Sequence, residues 1–277
     1  MTKEAIKFFN YKMGDYKFGV DNRTVTVDGN NKIIYPSLSN IKGFGKQVAE
    51  TLYEMGKNKY NTFIDILIDL HGRGINRSVL VSLIMLDYFS QFGRSQYLLD
   101  VLIIYDKYSS CKQINKNKLI KLNLDENILR KYSSKETESL YKEINIDGLI
   151  QELIENIENK DIQLKEKLKA ELELLGYIST KIETLEEDLY YVLKIDEYKN
   201  KKSYTYYPTF YNIKNGTEIK YKVNDYLVYM DYPFKVGDII KIEKEHKQNK
   251  KKLEKDTGKW IILKDEFNNH VDEWTIY

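Results

Sequence analysis

The spacing of apolar residues changes near residue 189, and this change limits most strongly the folds open to the chain. Before it, apolar residues recur every three or four positions, as in the segment 63–70, which is the spacing of one helix face. After it, polar and apolar residues alternate, as in the segment 218–223, which is the spacing of a half-buried strand. The sequence therefore predicts an α+β multidomain chain with helical domains first and a β domain last.

Four segments follow from this pattern. Residues 1–36 are predicted to form a short β segment, because a β-branched stretch precedes an Asp-Gly turn. Residues 37–108 have helical spacing, and residues 109–188 are predicted to be a polar linker followed by acidic amphipathic helices. Residues 189–277 contain several short strand candidates separated by glycine turns, which predicts a small barrel or sandwich.

The charge is distributed unevenly. The chain has 44 Lys and Arg against 42 Asp and Glu, a formal charge of +2. Residues 133–190 contain fifteen acidic residues and seven lysines, a net −8, so the remainder carries +10. A charge near zero disfavours nucleic acid as a partner only if it is evenly spread. The acidic block is either a solvated helix face or a surface that DNA avoids.

The sequence argues against several other classes of protein. No apolar run reaches the roughly 20 residues of a membrane helix, and we expect neither a signal peptide nor a membrane partner. The single cysteine, Cys111, cannot form an internal disulfide, which favours a cytoplasmic location. Because His71, His246 and His270 are isolated and no phosphate-loop or dinucleotide fingerprint is present, we expect no metal, cofactor or catalytic residue.

The most informative stretch is residues 38–52, which has the order helix, Gly-apolar-Gly turn, helix. Gly43 and Gly45 can adopt backbone angles closed to other residues, and they present N–H groups without a side chain beside them. We expect Phe44 to pack into the helix pair and Ala49 to let the two helices approach closely. This pattern is typical of a helix-hairpin-helix motif, which holds a DNA backbone phosphate without reading bases.

Two lysines flank this turn. Lys46 lies at the predicted helix start, where free N–H donors and the helix dipole favour an anion, and Lys42 lies just before the glycines. A bare Gly-x-Gly also fits a turn that serves only helix packing. The complete arrangement favours phosphate binding by Lys42, Gly43, Phe44, Gly45 and Lys46.

A second helix pair follows, joined by residues 71–74 with two further glycines. It resembles a second, degenerate hairpin. Arg73, Arg77 and Arg94 are candidate phosphate contacts on charge alone. Arginines that only solvate the surface are an equally open alternative for each of them.

The β domain carries a basic cluster in a stretch expected to project as a hairpin loop. Single-strand binders combine a basic groove with aromatic platforms on which bases stack. The candidate phosphate contacts are Lys241, Lys244, Lys250, Lys251 and Lys252. The candidate platforms are Tyr221, Tyr229, Tyr232, Phe234 and Trp260, the last expected to be half in the core. Aromatic residues of a barrel core and a merely solvated lysine loop remain alternatives.

Four segments resemble, in order, the bacterial replicative DNA polymerase III alpha subunits. Residues 37–45 resemble the "LSAIKGVG" stretch of that family, and residues 75–89 resemble the following "INKRVLESLIKAGAFD" stretch. Residues 173–179 resemble the later "LGFYLSGHP" stretch without its His-Pro. Residues 232–265 resemble the strands and the Gly-Lys hairpin of the family's OB-fold domain. The resemblance covers about residues 33–277.

The resemblance implies a DNA-binding, non-catalytic C-terminal part of such a polymerase, with a helix-hairpin-helix region, a helical bridge and an OB-like barrel. The family's metal-binding aspartates lie upstream of the matched region, so the polymerase active site is expected on a separate partner chain. Residues 96–99 match a sliding-clamp peptide poorly, and clamp binding stays open. The alternative is a stand-alone module for single-strand DNA binding or repair. A nuclease is disfavoured because the chain shows no carboxylate cluster.

Overall fold

The computed structural model of the chain describes residues 16–30, 33–185, 187–199, 204–223, 233–254 and 258–277. The chain divides into two compact units, one ending at Gln163 and one spanning Leu164–Tyr277. The described part of the first unit contains strands β1 (Thr26–Asp28), β2 (Ile33–Tyr35), β3 (Gln113–Asn115), β4 (Ser133–Glu136) and β5 (Leu140–Ile144). Its helices are α1 (Lys46–Met55), α2 (Phe63–Leu70), α3 (Arg77–Met85), α4 (Ser95–Tyr108), α5 (Leu119–Leu122), α6 (Glu126–Tyr132) and α7 (Ile146–Glu155). The second unit contains α8 (Leu164–Leu175), β6 (Leu189–Lys199), β7 (Tyr204–Asn212), β8 (Glu218–Lys222), β9 (Ile239–Leu253) and β10 (Trp260–Ile276).

Capping residues and apolar spacing explain the first helices. Helix α2 begins at a capping box in which Thr62 accepts the N–H of Asp65 and the Asp65 carboxylate accepts the N–H of Thr62. Helix α3 follows Asn76, whose side chain accepts the N–H of Val79 at 2.9 Å. The helical prediction for residues 37–108 is confirmed.

The stretch 109–132 differs from its prediction as a polar connection. It contributes β3, α5 and α6 to a packed lobe whose antiparallel sheet has the order β3–β5–β4. Ile114, Leu129, Tyr141 and Leu149 are buried together there. Each of β3, α5 and α6 buries only one residue, so no periodicity indicates the lobe in the sequence. The predicted segment 109–188 also contains the division between the two units.

Helix α4 is fastened to this lobe at its N-terminus, where Arg94 provides no capping side chain. The Asn159 side-chain oxygen accepts the N–H of Arg94 at 2.9 Å. The Lys160 carbonyl accepts the N–H groups of Gln96 and Tyr97, in the first turn of the helix. The Asp161 carboxylate accepts the N–H and the hydroxyl of Ser95, both at 3.3 Å. These three residues satisfy donors that the helix itself leaves open.

Replacing Asp161 with alanine should therefore destabilise the first unit, by about 0.5–2 kcal/mol, because a capping carboxylate is lost. Urea denaturation followed by circular dichroism measures this change. Glu158→Ala is the matched control, since the Glu158 side chain is 74% exposed and pairs with Lys160. The role of Asp161 is contradicted if both variants unfold at the same urea concentration.

The second unit is built around five strands that close into a barrel in the order β10–β8–β7–β6–β9. Strands β8 and β10 are parallel, and the other pairs are antiparallel. The buried interior includes Val192, Phe210, Tyr221, Phe234, Ile240 and Val271. Tyr221 and Phe234 therefore belong to the core, and their prediction as stacking platforms is wrong. Tyr229 and Tyr232 lie outside the described residues.

Helix α8 packs against the barrel through Leu168 and ends at Leu175, before Gly176 with φ of 81°. The carboxylate of Glu171 is almost fully buried. It accepts the N–H and hydroxyl groups of Ser179 and Thr180 at 2.7–3.0 Å. This buried carboxylate holds the chain that leads from the helix to the barrel, because all four of its donors come from that segment.

Strands β9 and β10 are longer than the sequence predicts. From its alternating pattern the sequence predicts short strands near residues 238–242 and 259–263, joined by a lysine-rich hairpin loop. Instead, β9 has 15 residues and β10 has 17, and the lysines of residues 244–252 lie on strand β9. The sequence prediction fails because lysine and asparagine have low strand propensity and cross-strand pairing outweighs it.

Candidate nucleic-acid interface

The first glycine turn has the geometry of a tight helix-to-helix connection. Leu38 and Ile41 are buried, and the turn closes through a hydrogen bond of 3.0 Å from the N–H of Phe44 to the carbonyl of Ile41. Gly43 has φ of 85°, in the left-handed region that favours glycine. Helix α1 then begins directly after Gly45, which occupies the N-cap position.

The start of helix α1 leaves backbone donors open. Gly45 has no side chain to cap the helix, and the first intrahelical bonds run from Val48 and Ala49 to the Gly45 carbonyl. The N–H groups of Lys46 and Gln47 precede those bonds, so no carbonyl within the helix can accept them. Open donors at the positive end of a helix dipole form a site that favours an anion.

The fold itself explains only one of the two glycines. A Cβ atom built on Gly43 or Gly45 would meet no atom within 4 Å. Gly43 is required by its positive φ, but Gly45 has φ of −92°, which any residue adopts. Glycine at position 45 therefore serves no internal packing, and it leaves the backbone accessible to close approach from outside.

The lysines beside this turn are exposed. Lys42 is exposed, and the Lys46 side chain is 85% exposed, 3.6 Å from Glu50 in the next helical turn. Phe44 is half-buried between the two glycines. Five predicted residues, 42 to 46, thus lie together on one turn, with two cations beside the open N–H groups.

The second hairpin repeats the first turn and then departs from it. Gly72 has φ of 83°, and the N–H of Arg73 donates to the Leu70 carbonyl at 3.0 Å, as Phe44 does to Ile41. Gly74, however, has φ of 77°, and helix α3 starts three residues later, at Arg77, behind Asn76. The Asn76 side chain accepts the N–H of Val79, so this helix start has a side-chain acceptor that the start of α1 lacks.

The three candidate arginines each contact a carboxylate. Arg73 donates from Nε to Asp69 at 3.0 Å. Asp69 also accepts from Tyr60, and the bonds from Tyr60 and Arg73 hold the pKa of its carboxyl below the usual value. Arg77 pairs with Asp106, and Arg94 is 3.3 Å from the carboxylate of Asp161. Exposed pairs of this kind contribute only about 0–1 kcal/mol, so a phosphate can compete for these arginines.

The predicted lysines of the β domain are not gathered at one place. Lys241 lies on the barrel wall, where hydrogen bonding to Glu187 at 2.9 Å raises its pKa. Lys244 is 3.5 Å from Glu273, and Lys250 is 3.3 Å from Glu266. Lys251 and Lys252 are exposed farther along β9, and Trp260 is 66% exposed rather than half in the core.

A groove of about 280 Å³ lies beside β7 and β8, where β10 leaves the barrel. Besides Lys250 and Tyr221, which the sequence analysis named, it is lined by residues that the analysis missed as ligand contacts, namely Tyr207, Lys220, Lys222, Phe267, Asn268 and Asn269. The ammonium of Lys220 lies 5.4 Å from the centre of the Tyr207 ring, a cation–π contact. The polar positions of the alternating segment 218–223 were the signal that could have indicated Lys220 and Lys222.

Comparison with known proteins finds a family similarity for the N-terminal, mainly helical part of the chain. A family model described as "Helix-hairpin-helix motif" matches residues 14–98, a range that includes both glycine turns. This match supports nucleic-acid binding by that region. No curated protein matches the chain.

The described residues contain no group of three or more His, Cys, Asp or Glu side chains placed to hold a metal ion. None of their helices has the length and apolar character needed to cross a membrane.

The open helix start predicts opposite effects of one substitution on stability and binding. Asp is a favoured N-cap residue, so Gly45→Asp should raise the free energy of unfolding by a few tenths of a kcal/mol. The new carboxylate should occupy the anion site and weaken duplex DNA binding at least tenfold, because hydrogen bonds to a charged group contribute about 1.5–3 kcal/mol. Fluorescence anisotropy measures the affinity, and urea denaturation measures the stability.

Gly29→Asp is the control for this substitution. It adds the same charge at a turn where a Cβ atom also meets open space. It should leave duplex affinity close to that of the wild type. Equal losses in the two variants would show that net charge, rather than the helix start, governs binding.

Proposed function

We propose that this chain is the DNA-binding, non-catalytic C-terminal part of a DNA polymerase III alpha-like replication protein. The observation that carries the proposal is the start of α1, where open N–H donors follow a glycine that the fold does not require. A backbone phosphate supplies the anion that such a helix start favours. Phosphate contacts carry no sequence information, which suits a protein that must bind any duplex.

In this proposal the first hairpin makes the principal duplex contact. Lys42 and Lys46 supply charge beside the N–H groups of Gly45, Lys46 and Gln47. Arg73 and Arg77 add phosphate contacts when DNA displaces Asp69 and Asp106.

The barrel is assigned as an OB-like domain that holds single-stranded template. Its five strands and their order, with a parallel pair between the third and the fifth, support a Greek-key barrel of this type. OB-folds bind on the face of the second and third strands, which here are β7 and β8. The groove with Tyr207, Lys220 and Lys222 lies on that face, beside Lys250. Lys241, Lys244, Lys251 and Trp260 are assigned to the same function, whereas Lys252 lies on the opposite face of β9 from Lys251.

The polymerase active site is assigned to a separate chain with which this protein assembles. A second candidate function is a stand-alone module for single-strand DNA binding or repair. The observation that favours this alternative is that the basic groove and the long strands of the second unit need no polymerase to bind a single strand.

A duplex with a single-stranded 5′ extension tests the proposal. Its affinity for the full chain should fall steeply with salt, with a slope of about −0.9 in log K against log salt for each duplex phosphate held. The Gly45→Asp variant should lose affinity for the duplex while its affinity for the isolated single strand is unchanged. Absence of binding to either DNA at about 50 mM salt would refute the proposal.

Primer extension separates the two candidate functions. The first predicts that a polymerase catalytic chain without its own hairpin region extends primers efficiently only when this protein is added. It also predicts co-purification of the two chains. DNA binding without any effect on extension, and without co-purification, would favour the stand-alone module.

A further inference from the structure

Strands β9 and β10 extend beyond the barrel as a two-stranded ribbon. Residues 248–253 and 260–268 pair with each other, whereas the described pairings of β9 and β10 with other barrel strands involve residues 239–241 of β9 and 269–270 of β10. The ribbon contains four lysines against two acidic residues, a net +2.

The register assigns each residue to one of two faces. Directly paired residues of an antiparallel ribbon lie on the same face, and so do residues two apart on one strand. Trp260 pairs with Leu253, and Ile262 pairs with Lys251, so these four residues share a face. Lys252 pairs with Ile261 and lies on the opposite face.

The first face is an exposed apolar stripe. Leu253, Trp260 and Ile262 are 45%, 66% and 61% exposed, and Phe267, which pairs with Asn249 on the same face, is 48% exposed. Single exposed apolar residues need no explanation, but a row of four on one face marks a binding surface. We name this surface, formed by Leu253, Trp260, Ile262 and Phe267 with Lys251, the ribbon stripe.

We propose that the ribbon stripe is the surface on which bases of single-stranded nucleic acid stack, and that Lys251 holds the adjoining phosphate. This inference rests on the proposed function and specifies which face of the ribbon acts. Two aromatic rings with a lysine between them match the combination of stacking platforms and positive charge that single-strand binders use. The net positive charge of the ribbon complements a phosphate backbone.

Continuity with the groove supports the same occupant. Phe267 belongs to the ribbon stripe and also lines the groove beside β7 and β8. A strand that leaves the groove at Phe267 can therefore continue along the stripe to Ile262 and Trp260, across the register shift between Ile262 and Phe267. Lys250 lines the groove but pairs with Glu266 at 3.3 Å, which leaves Lys251 as the phosphate contact of the stripe.

The decisive experiment compares matched variants on the two faces with a fluorescent oligothymidylate. Lys251→Ala should reduce the salt slope of single-strand binding by about 0.7, the value for one phosphate contact, and Lys252→Ala should leave it unchanged. Trp260→Ala should weaken binding by about 5- to 150-fold, the range for loss of one stacked base, and Ile261→Ala should have little effect. All four side chains are exposed, so the variants are expected to fold, and circular dichroism checks this.

Tryptophan fluorescence gives a second readout. Oligothymidylate should quench the emission of the wild type, and most of the quenching should vanish in Trp260→Phe, in which only the partly buried Trp274 remains. Equal losses of affinity in the variants of the two faces would overturn the inference. So would an unchanged single-strand affinity in Trp260→Ala together with a change in oligomeric state, which would identify the ribbon stripe as a contact between protein chains.

The failure of this inference is distinguishable from that of the proposed function. If the wild type binds duplex DNA through its hairpin and the Gly45→Asp variant loses that binding, the proposed function stands whatever the ribbon variants show. If the wild type binds neither duplex nor single strand, both fail together.

Discussion

The start of helix α1 is the constraint on which the account depends. Every helix begins with N–H groups that its own carbonyls cannot accept, and the chain must supply acceptors or leave the donors to a ligand. Helices α2, α3 and α4 obtain acceptors from Thr62, from Asn76 and from the segment 159–161. Helix α1 starts behind Gly45, which has no side chain to offer.

The contrast between the two hairpins follows from this single difference. Both turns have a glycine near φ of 84° and the same closing hydrogen bond. The second then adds two residues, the latter of which is the capping Asn76, and its Arg73 donates to Asp69. The first hairpin therefore presents open backbone donors that favour an anion. In the second hairpin, a phosphate would have to displace the Asp69 carboxylate from Arg73. In the proposed function the two turns therefore contribute unequally to binding, although their sequences are alike.

Much of this fold was predictable wherever a segment had one clear period. The helices of residues 37–108 and the change to strands near residue 189 were predicted, and the five residues of the first turn lie together. The lobe around Tyr141 was missed because its apolar residues are divided among short elements. The ribbon was missed because a lysine-rich sequence resembles a loop. Which apolar residues lie beside Lys251 and Lys252 depends on how β9 pairs with β10, and the sequence of one strand does not determine that pairing. The groove at Tyr207 joins residues from four strands, which only the folded second unit brings together.

The most direct test of the central claim is to follow the backbone amide signals of Gly43, Gly45, Lys46 and Gln47 by NMR while duplex DNA is added. A phosphate held at the start of α1 should shift the amide protons of Gly45, Lys46 and Gln47 strongly, because they would donate to a charged acceptor. The amides of Arg77 and Ser78, at the capped start of α3, should shift much less. Larger shifts at α3 than at α1, or shifts confined to exposed lysine side chains, would contradict the account.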